Sequence, residues 1–281
     1  MTLATLEKAT IPQLTGAFNA AFAGYFAPLQ LTEEQVARKI ELGEINRELS
    51  AGAWSGEQLV GFIWHGQHDD NGRRRAYNTG TGVVPAFRGQ GLTRQMYQHL
   101  EPILQENGFV ECWLEVIEEN APARRAYRAT GFEEIRHLRC FHGTIQPAPR
   151  IAEVRPLPRP DWPVLTNLWS WTPSWQNAAH TIENAWEDLA AVGLYEYDTL
   201  LAYAVFNPAT GRVPQFAVHP EQRRRGLGRQ LFGYIQEQTS QELAVINVDG
   251  SAAGTLRFLE TLGMENHINQ YEMCWDLAVN Q

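Results

Sequence analysis

The stretch "VVPAFRGQGLTRQM", residues 83–96, joins a β-branched run to a predicted helix through a loop that contains an arginine and two glycines. The stretch "VHPEQRRRGLGRQL", residues 218–231, has Val, Pro, Arg and Gly in the same order and at the same spacing. The aligned pairs are Val83 with Val218, Pro85 with Pro220, Arg88 with Arg223, and Gly91 with Gly226. This correspondence predicts that one α/β module occurs twice in the chain.

A loop of this kind has the chemistry of an anion site. The first backbone N–H groups of a helix have no partner inside the helix, and the helix dipole adds partial positive charge there. Glycine lets a ligand approach the backbone without a Cβ atom in the way. We therefore expect residues 88–93 to bind a phosphate or pyrophosphate. A tight turn between a strand and a helix uses the same residues, so the loop alone leaves that alternative open. The loop lacks the Gly-Lys-Ser/Thr of a P-loop and the chain position of a dinucleotide fingerprint.

Composition limits the class of protein. The chain has 281 residues, enough for two domains, with 44% hydrophobic and 20% charged residues. Its net charge of -9 disfavours general nucleic-acid binding. We expect no membrane span and no secretory signal at the first residues, and hence a cytoplasmic protein. Its three cysteines are scattered, which predicts reduced thiols and no metal site: Cys112, Cys140 and Cys274.

Patterning predicts the same order of helices and strands in both halves. In residues 146–163, six of eighteen residues are proline, which is typical of a linker. We therefore place the domains at residues 1–147 and 148–281. Residues 161–191 are predicted to be helical, and residues 68–77 are predicted to be a loop in which Arg73–Arg75 form a solvated surface.

With the downstream stretch "NAPARRAYRATGF", residues 120–132, the loop resembles the GNAT superfamily of N-acetyltransferases. The pattern Val-x-Pro-x-x-Arg-x-x-Gly-x-Gly/Ala resembles its acetyl-CoA-binding segment, with Thr93 as a departure, and Asn120, Tyr127 and Gly131-Phe132 resemble its second signature. The resemblance implies an α/β fold (an α+β mixed sheet). It comprises two tandem acyl-CoA N-acyltransferase (GNAT-like) modules, each a twisted mixed sheet flanked by helices.

The resemblance also implies roles for individual residues. Main-chain groups of Val83 and Val84 would bind the pantetheine arm between two strands that a bulge near Gly80 and Gly82 forces apart. Asn120 would contact the CoA arm, and Tyr127 would protonate the leaving thiolate, although a core aromatic is the alternative for Tyr127. The CoA pyrophosphate would lie on backbone N–H groups of Arg88, Gly89, Gln90, Gly91, Leu92 and Thr93.

The second half keeps the loop but departs from the second signature. Leu259 stands in place of the tyrosine, Ala252 in place of the asparagine and Met264 in place of the phenylalanine. This half either binds CoA without catalysis, uses another acid, or binds nothing and helps to form the acceptor site. Its expected CoA-binding residues are Val218, Arg223, Arg224, Arg225, Gly226, Leu227 and Gly228.

The implied reaction moves an acetyl group from acetyl-CoA, the co-substrate, to a primary amine of a small molecule by direct attack in a ternary complex. The N–H near Val83 would polarise the thioester carbonyl. A base must deprotonate the amine, and Glu118 is our choice, with a solvated carboxylate as its alternative. The other base candidates are Glu115, Glu119, His65 and Tyr25. Cys112 is expected to be structural.

Several functions remain open at this point. The protein could use another acyl donor, act on a protein or peptide amine, or be a non-catalytic acyl-CoA-binding sensor. A toxin-type or ribosome-associated acetylase is disfavoured by the acidic charge. We expect a monomer (a pseudo-dimer of modules) or a homodimer, with no metal. Five tryptophans would line an aromatic pocket or belong to the core: Trp162, Trp169, Trp171, Trp175 and Trp186.

Overall fold

The structure is a computed structural model that describes residues 1–24 and 29–278. The strands in chain order are β1 Thr2–Thr5, β2 Ala51–Ser55, β3 Gln58–Asp70, β4 Arg73–Val83, β5 Phe109–Ile117, β6 Glu133–Gly143, β7 Glu153–Pro156, β8 Ala190–Glu196, β9 Thr199–Phe206, β10 Gln215–Val218, β11 Leu243–Asp249, β12 Glu265–Asn266 and β13 Gln270–Asp276. The α-helices are α1 Ile11–Ala21, α2 Glu33–Glu41, α3 Leu92–Glu106, α4 Ala121–Arg128, α5 Trp162–Leu165, α6 Ala179–Asn184, α7 Leu227–Glu237 and α8 Ala253–Thr261.

These elements group into two units. One comprises Met1–Ile135 and Glu272–Gln281, and the other comprises Arg136–Tyr271. The first unit is a mixed sheet with helices, which confirms the predicted fold class, and the second unit combines helices with antiparallel strands. The two units differ from the predicted domains 1–147 and 148–281. Each unit includes most of one strand that the sequence division assigns to the other domain. The first unit takes most of β13, and the second takes most of β6.

The first unit is a sheet with strand order β1-β2-β3-β4-β5-β13. The strands from β1 to β4 pair antiparallel with their neighbours, whereas β4 and β5 are parallel. Capping boxes at Thr10 and Thr32 begin α1 and α2. Phe18 of α1 stacks on Trp64 of β3 with ring centroids 5.0 Å apart, which fixes this helix on the sheet.

The predicted loop at residues 68–77 is instead a hairpin that joins β3 to β4. Its turn is Asn71-Gly72, both at positive φ (54° and 87°), as a two-residue hairpin turn requires. The three arginines that follow are strand residues, and Arg75 Nε donates to Glu111 Oε2 at 3.0 Å. The loop prediction was wrong because Asn-Gly favours a two-residue hairpin turn, which leaves the residues on both sides in paired strands.

The second unit contains two groups of strands. One has the order β10-β9-β8-β7 with antiparallel pairs, and in the other β11 and β12 pair with β6. Its main core packs α7 and α8 against these strands, with Leu231, Phe232 and Leu259 fully buried. The predicted helical region at 161–191 forms only short pieces, α5, α6 and several 3₁₀ turns, and β8 begins at its end. Pro173 interrupts this region between two 3₁₀ turns, because proline cannot donate the hydrogen bonds of a helix interior, whereas Pro163 lies in the first turn of α5.

The proline-rich segment is attached to α7 and is not a free linker. Gln230 Oε1 accepts from the N–H groups of Ile151 and Ala152 at 2.7 and 2.9 Å. A Cβ atom at Gly233 would lie 3.2 Å from Ala148 Cβ. The Gln230 side chain of α7 thus satisfies two backbone N–H groups of the proline-rich segment.

Candidate functional site

In the first unit, β4 and β5 separate at their carboxyl ends. Within the described residues their last parallel pair is Asn78 with Leu114, although β4 runs on to Val83 and β5 to Ile117. A bulge in the β3–β4 ladder lies between the pairs Trp64–Gly80 and His65–Asn78, so Thr79 is the additional residue. The bulge lies beside Gly80, as predicted, and it turns β4 away from β5.

The main chain at Val83 faces this gap. Val83 is opposite Gly61, and the N–H of the next residue, Val84, donates to Val60 O at 2.9 Å. Because successive residues of an antiparallel strand direct their N–H groups to opposite sides, the N–H of Val83 points away from β3 and towards the gap. Val84, the other residue predicted to make a main-chain contact, has its N–H bonded to Val60 O, and its carbonyl accepts from Phe87 N at 2.8 Å.

The loop that follows has the geometry of an anion site. Gly89 and Gly91 have φ values of 77° and 69°, and nothing lies within 4 Å of a Cβ atom built at Gly89. The first hydrogen bond of α3 runs from Gln95 N to Gly91 O, and the N–H groups of residues 89–94 donate to no atom of the described chain. These groups suit a pyrophosphate. The N–H of Arg88, also predicted to contact the pyrophosphate, donates to Pro85 O at 3.2 Å.

The side chain of Arg88 has a role that sequence reasoning missed. Its guanidinium donates to Val83 O at 3.1 Å and to Ala21 O at 2.7 Å. It therefore ties the anion loop to the end of β4 and to the end of α1. The signal for this was present, because Arg223 recurs at the same spacing and makes the same kind of bonds, to Val218 O at 3.1 Å and Leu168 O at 3.3 Å.

The second signature places its residues on and before α4. Asn120 caps this helix, and its Oδ1 accepts from Ala123 N at 3.2 Å. Tyr127 is 8% exposed and its ring lies edge-on to Tyr97, with centroids 6.3 Å apart. Trp275 of β13 packs on Phe132 in the same aromatic group. A buried ring suits both alternatives for Tyr127.

The base candidates lie in different surroundings. Glu115 Oε2 accepts from Tyr77 OH at 2.5 Å, whereas Glu118 and Glu119 follow the end of β5. His65 is fully buried, with Nδ1 2.8 Å from Leu49 O and Nε2 3.6 Å from Cys112 Sγ. Burial lowers the pKa of His65 to about 4, partly offset by the bond to Leu49, so this ring is neutral and enclosed. Tyr25 lies outside the described residues.

The second unit repeats the loop with differences. His219 N donates to Leu201 O at 2.8 Å, the counterpart of the bond from Val84, and Gly226 has φ 87°. Arg224, at the position of Gly89, has φ 65°. This left-handed conformation is strained for a residue that has a Cβ atom. Arg225 is paired with Glu196 at 3.3 Å, and the buried Leu259 offers no proton.

The tryptophans of the second unit contribute to its core. Trp162, Trp169 and Trp186 pack around a buried cluster, and Trp169 Nε1 donates to Tyr203 OH at 2.6 Å. Trp169 and Trp171 also line a small cleft, whose other lining residues are Ser170, Pro173, Tyr203, Gln215 and Phe216. Both alternatives for the tryptophans therefore have support.

Over residues 1–24 and 29–278, no helix is long and apolar enough to cross a membrane. In the same residues, no three His, Cys, Asp or Glu side chains are grouped so as to hold a metal ion.

A sequence profile of the Acetyltransferase (GNAT) family matches this chain twice, over residues 17–132 and 151–264. Among curated proteins, streptothricin acetyltransferase of Streptomyces lavendulae is 44% identical over 50 residues, which are 18% of this chain and 26% of that protein. Ribosomal protein bS18 alanine N-acetyltransferase of Salmonella typhimurium is 39% identical over 64 residues, 23% of this chain and 43% of that protein. The alignments thus span less than half of these relatives.

Solved structures share the fold over nearly the whole chain. A GCN5-related N-acetyltransferase from Sphaerobacter thermophilus superposes with a TM-score of 0.72 at 15% identity, covering 98% of this chain and 95% of that one. A tandem GNAT protein from the clavulanic acid biosynthesis pathway superposes with a TM-score of 0.69 at 14% identity, covering 98% of both chains. At these identities the likeness concerns the fold.

Proposed function

Because the chain belongs to the GNAT acetyltransferase family, we propose that its first unit transfers an acetyl group from acetyl-CoA to a primary amine of a small molecule. The observation that carries this proposal is the gap between β4 and β5, which opens beside a loop of unpaired N–H groups at the start of α3. The amine attacks directly, within a ternary complex, so no covalent enzyme intermediate is needed.

The main chain of the first unit binds and orients the co-substrate. The N–H groups of residues 89–93 hold the pyrophosphate, and Arg88 keeps the loop in place through Val83 O and Ala21 O. The gap-facing N–H of Val83 polarises the acyl carbonyl. Asn120, the N-cap of α4, would contact the CoA arm, as the resemblance implies.

Two side chains handle protons. Acetyl-CoA, when bound, supplies an acyl group already activated as a thioester. Tyr127 holds the proton that the departing thiolate needs, and a neutral phenol is a suitable donor because its ordinary pKa is about 10. Glu118, at the end of β5, accepts the proton of the amine, whose ordinary pKa near 10.4 leaves it charged at neutral pH.

The proposal extends to the second unit and to the protein as a whole. The second unit binds CoA through Val218 and residues 223–228 but does not catalyse, because Leu259 replaces the phenol. The repeated modules are residues 1–147 and 148–281 in sequence, and the protein acts in the cytoplasm as a monomer or homodimer.

The acceptor class has support from one relative. Streptothricin acetyltransferase is named for a small molecule, which favours a small amine as acceptor here. The alanine N-acetyltransferase is named for a ribosomal protein, so a protein amine is the alternative acceptor.

Calorimetric titration with acetyl-CoA, followed by turnover measurements over a panel of small amines and N-terminal peptides, tests the proposal. We expect binding, turnover with a small amine, and a kcat lowered by about 10²-fold or more in Tyr127→Phe. Tyr234→Phe on α7 is the matched control and should leave kcat unchanged. Absence of binding would refute the family-based function, and full activity of Tyr127→Phe would refute the assigned acid.

The second candidate is an acyl-CoA sensor, which the Leu259 substitution in the second unit favours. Binding of acetyl-CoA without turnover of any amine would support it. Ligand at 100-fold its Kd should then still raise the free energy of unfolding by about 2.7 kcal/mol.

A further inference from the structure

Three polar side chains of the first unit form a hydrogen-bonded network where β4 and β5 separate. Asn78 Nδ2 donates to Tyr97 OH at 2.6 Å and to Thr81 Oγ1 at 2.7 Å. Asn78 Oδ1 accepts from Gly80 N at 2.9 Å, across the bulge. Tyr97 is fully buried and Asn78 is 6% exposed, whereas Thr81 is half-buried, so the bond between Asn78 and Tyr97 is closed to solvent.

This network adjoins the proposed acid. The ring of Tyr97 lies edge-on to the rings of Tyr127 and Phe132, with centroids 6.3 and 5.2 Å away. Phe132 in turn contacts Tyr127 at 5.7 Å. Burial raises the pKa of Tyr97 well above its ordinary value, so its phenol stays neutral. The orientation of Tyr97 therefore bears directly on that of Tyr127.

The second unit has an apolar counterpart at each of these positions. In the register of its own strands and helix, the counterparts are Val213 for Asn78, Phe216 for Thr81, Phe232 for Tyr97 and Leu259 for Tyr127. The bulge is nevertheless retained, because Asn207 N donates to Arg212 O while Gln215 pairs with Val205. The bulge of the second unit thus forms with apolar residues at these four positions, while the neighbouring Gln215 accepts from Tyr203 OH at 2.8 Å and donates to Asn177 O at 2.6 Å.

Buried polar groups cost stability unless they are fully hydrogen-bonded, and the bulge of the second unit forms without polar side chains at the positions of Asn78 and Tyr97. We infer that Asn78 and Tyr97 are positioning residues for acyl transfer, which hold the ring of Tyr127 with its hydroxyl towards the thioester sulfur. The inference rests on the proposed function of the first unit. A hydrogen-bonded phenol cannot rotate freely, so its edge contact limits the orientations open to Tyr127.

Exchange of the network for the residues of the second unit tests this inference. The kcat and the KM for acetyl-CoA of Tyr97→Phe and Asn78→Val are measured with the amine that the wild-type protein acetylates fastest. We expect kcat to fall by about tenfold in each variant, while KM for acetyl-CoA changes less than about twofold, because only transition-state contacts are lost. In a Tyr127→Phe background neither substitution should lower kcat further, since both act through that phenol.

Thr15→Val is the control, because its buried hydroxyl donates to Ile11 O within α1. It should leave kcat unchanged. An unchanged kcat in Tyr97→Phe, or a loss that multiplies with that of Tyr127→Phe, overturns the inference while the proposed function stands. If Asn78→Val does not fold, Tyr97→Phe, which removes one oxygen atom, decides alone. A wild-type protein without turnover refutes the proposed function and the inference with it.

Discussion

Acidification should destabilise the protein through His65. This residue lies in β3, fully buried, and its Nδ1 is bonded to Leu49 O, which can only accept. The proton is therefore on Nδ1, and Nε2 faces the Cys112 thiol. Because the pKa of His65 is lowered from 6.5 to about 4, the unfolded chain takes up a proton between these pH values while the folded chain does not.

The free energy of unfolding therefore falls as the pH falls from about 6.5 to about 4, and the full contribution is present above 6.5. At 1.36 kcal/mol for each pKa unit, the complete loss is about 3 kcal/mol, of which about 2 kcal/mol is lost by pH 5. His65→Phe removes this titration, and the second unit has Phe206 at the corresponding strand position, so the fold accommodates the ring there.

Urea unfolding of both proteins at intervals between pH 7.5 and pH 5 measures the effect. Other groups titrate equally in wild type and variant, so the difference between the two pH dependences isolates His65. We expect the wild-type protein to lose about 2 kcal/mol more than the variant over this range. Parallel curves for the two proteins would show that the ring is not held neutral by burial.

Three other outcomes follow from local geometry. Gly131→Ala should lower the free energy of unfolding, measured with urea, by about 2 kcal/mol, because Gly131 has φ 120° and a Cβ atom there would lie 2.9 Å from Trp275 Nε1. The control Gly16→Ala, in open space on α1, should leave the free energy of unfolding unchanged or raise it. A chain ended after Asn269 should lose acetyl transfer, since the first unit loses the strand beside β5; circular dichroism and turnover check this, and retained activity would contradict it. Arg88→Leu should raise the KM for acetyl-CoA in turnover roughly tenfold by freeing the loop of the first unit, whereas Arg223→Leu, in the non-catalytic second unit, should leave that KM unchanged.

Local signals in the sequence were sufficient for much of the first unit. Thr32 and Gly43 bound α2 through signals that act over a few residues, a capping box and a glycine at φ 74°. The loop before α3 was predictable for the same reason. The helical prediction for residues 161–191 failed because prolines there divide a tryptophan-rich segment into short turns.

Features that depend on distant parts of the chain could not be predicted. Nothing in the pattern of residues 270–276 distinguishes β5 as their neighbour, because alternation of apolar residues specifies a strand and not its partner. The hydrogen-bonded network of Asn78, Thr81 and Tyr97 joins a strand to a helix, so no spacing rule reveals it. A comparison of the two halves, position by position, would have shown the polar set in one and the apolar set in the other.

The arrangement of β13 has a consequence for how the protein is made. The first unit lacks the strand beside β5 until translation reaches Asp276, although most of its residues are synthesised early. Until that point its core lacks Trp275, and the edge of β5 stays unpaired while the second unit is synthesised. A single cut of the chain between residues 147 and 148 would therefore separate each unit from most of one of its strands.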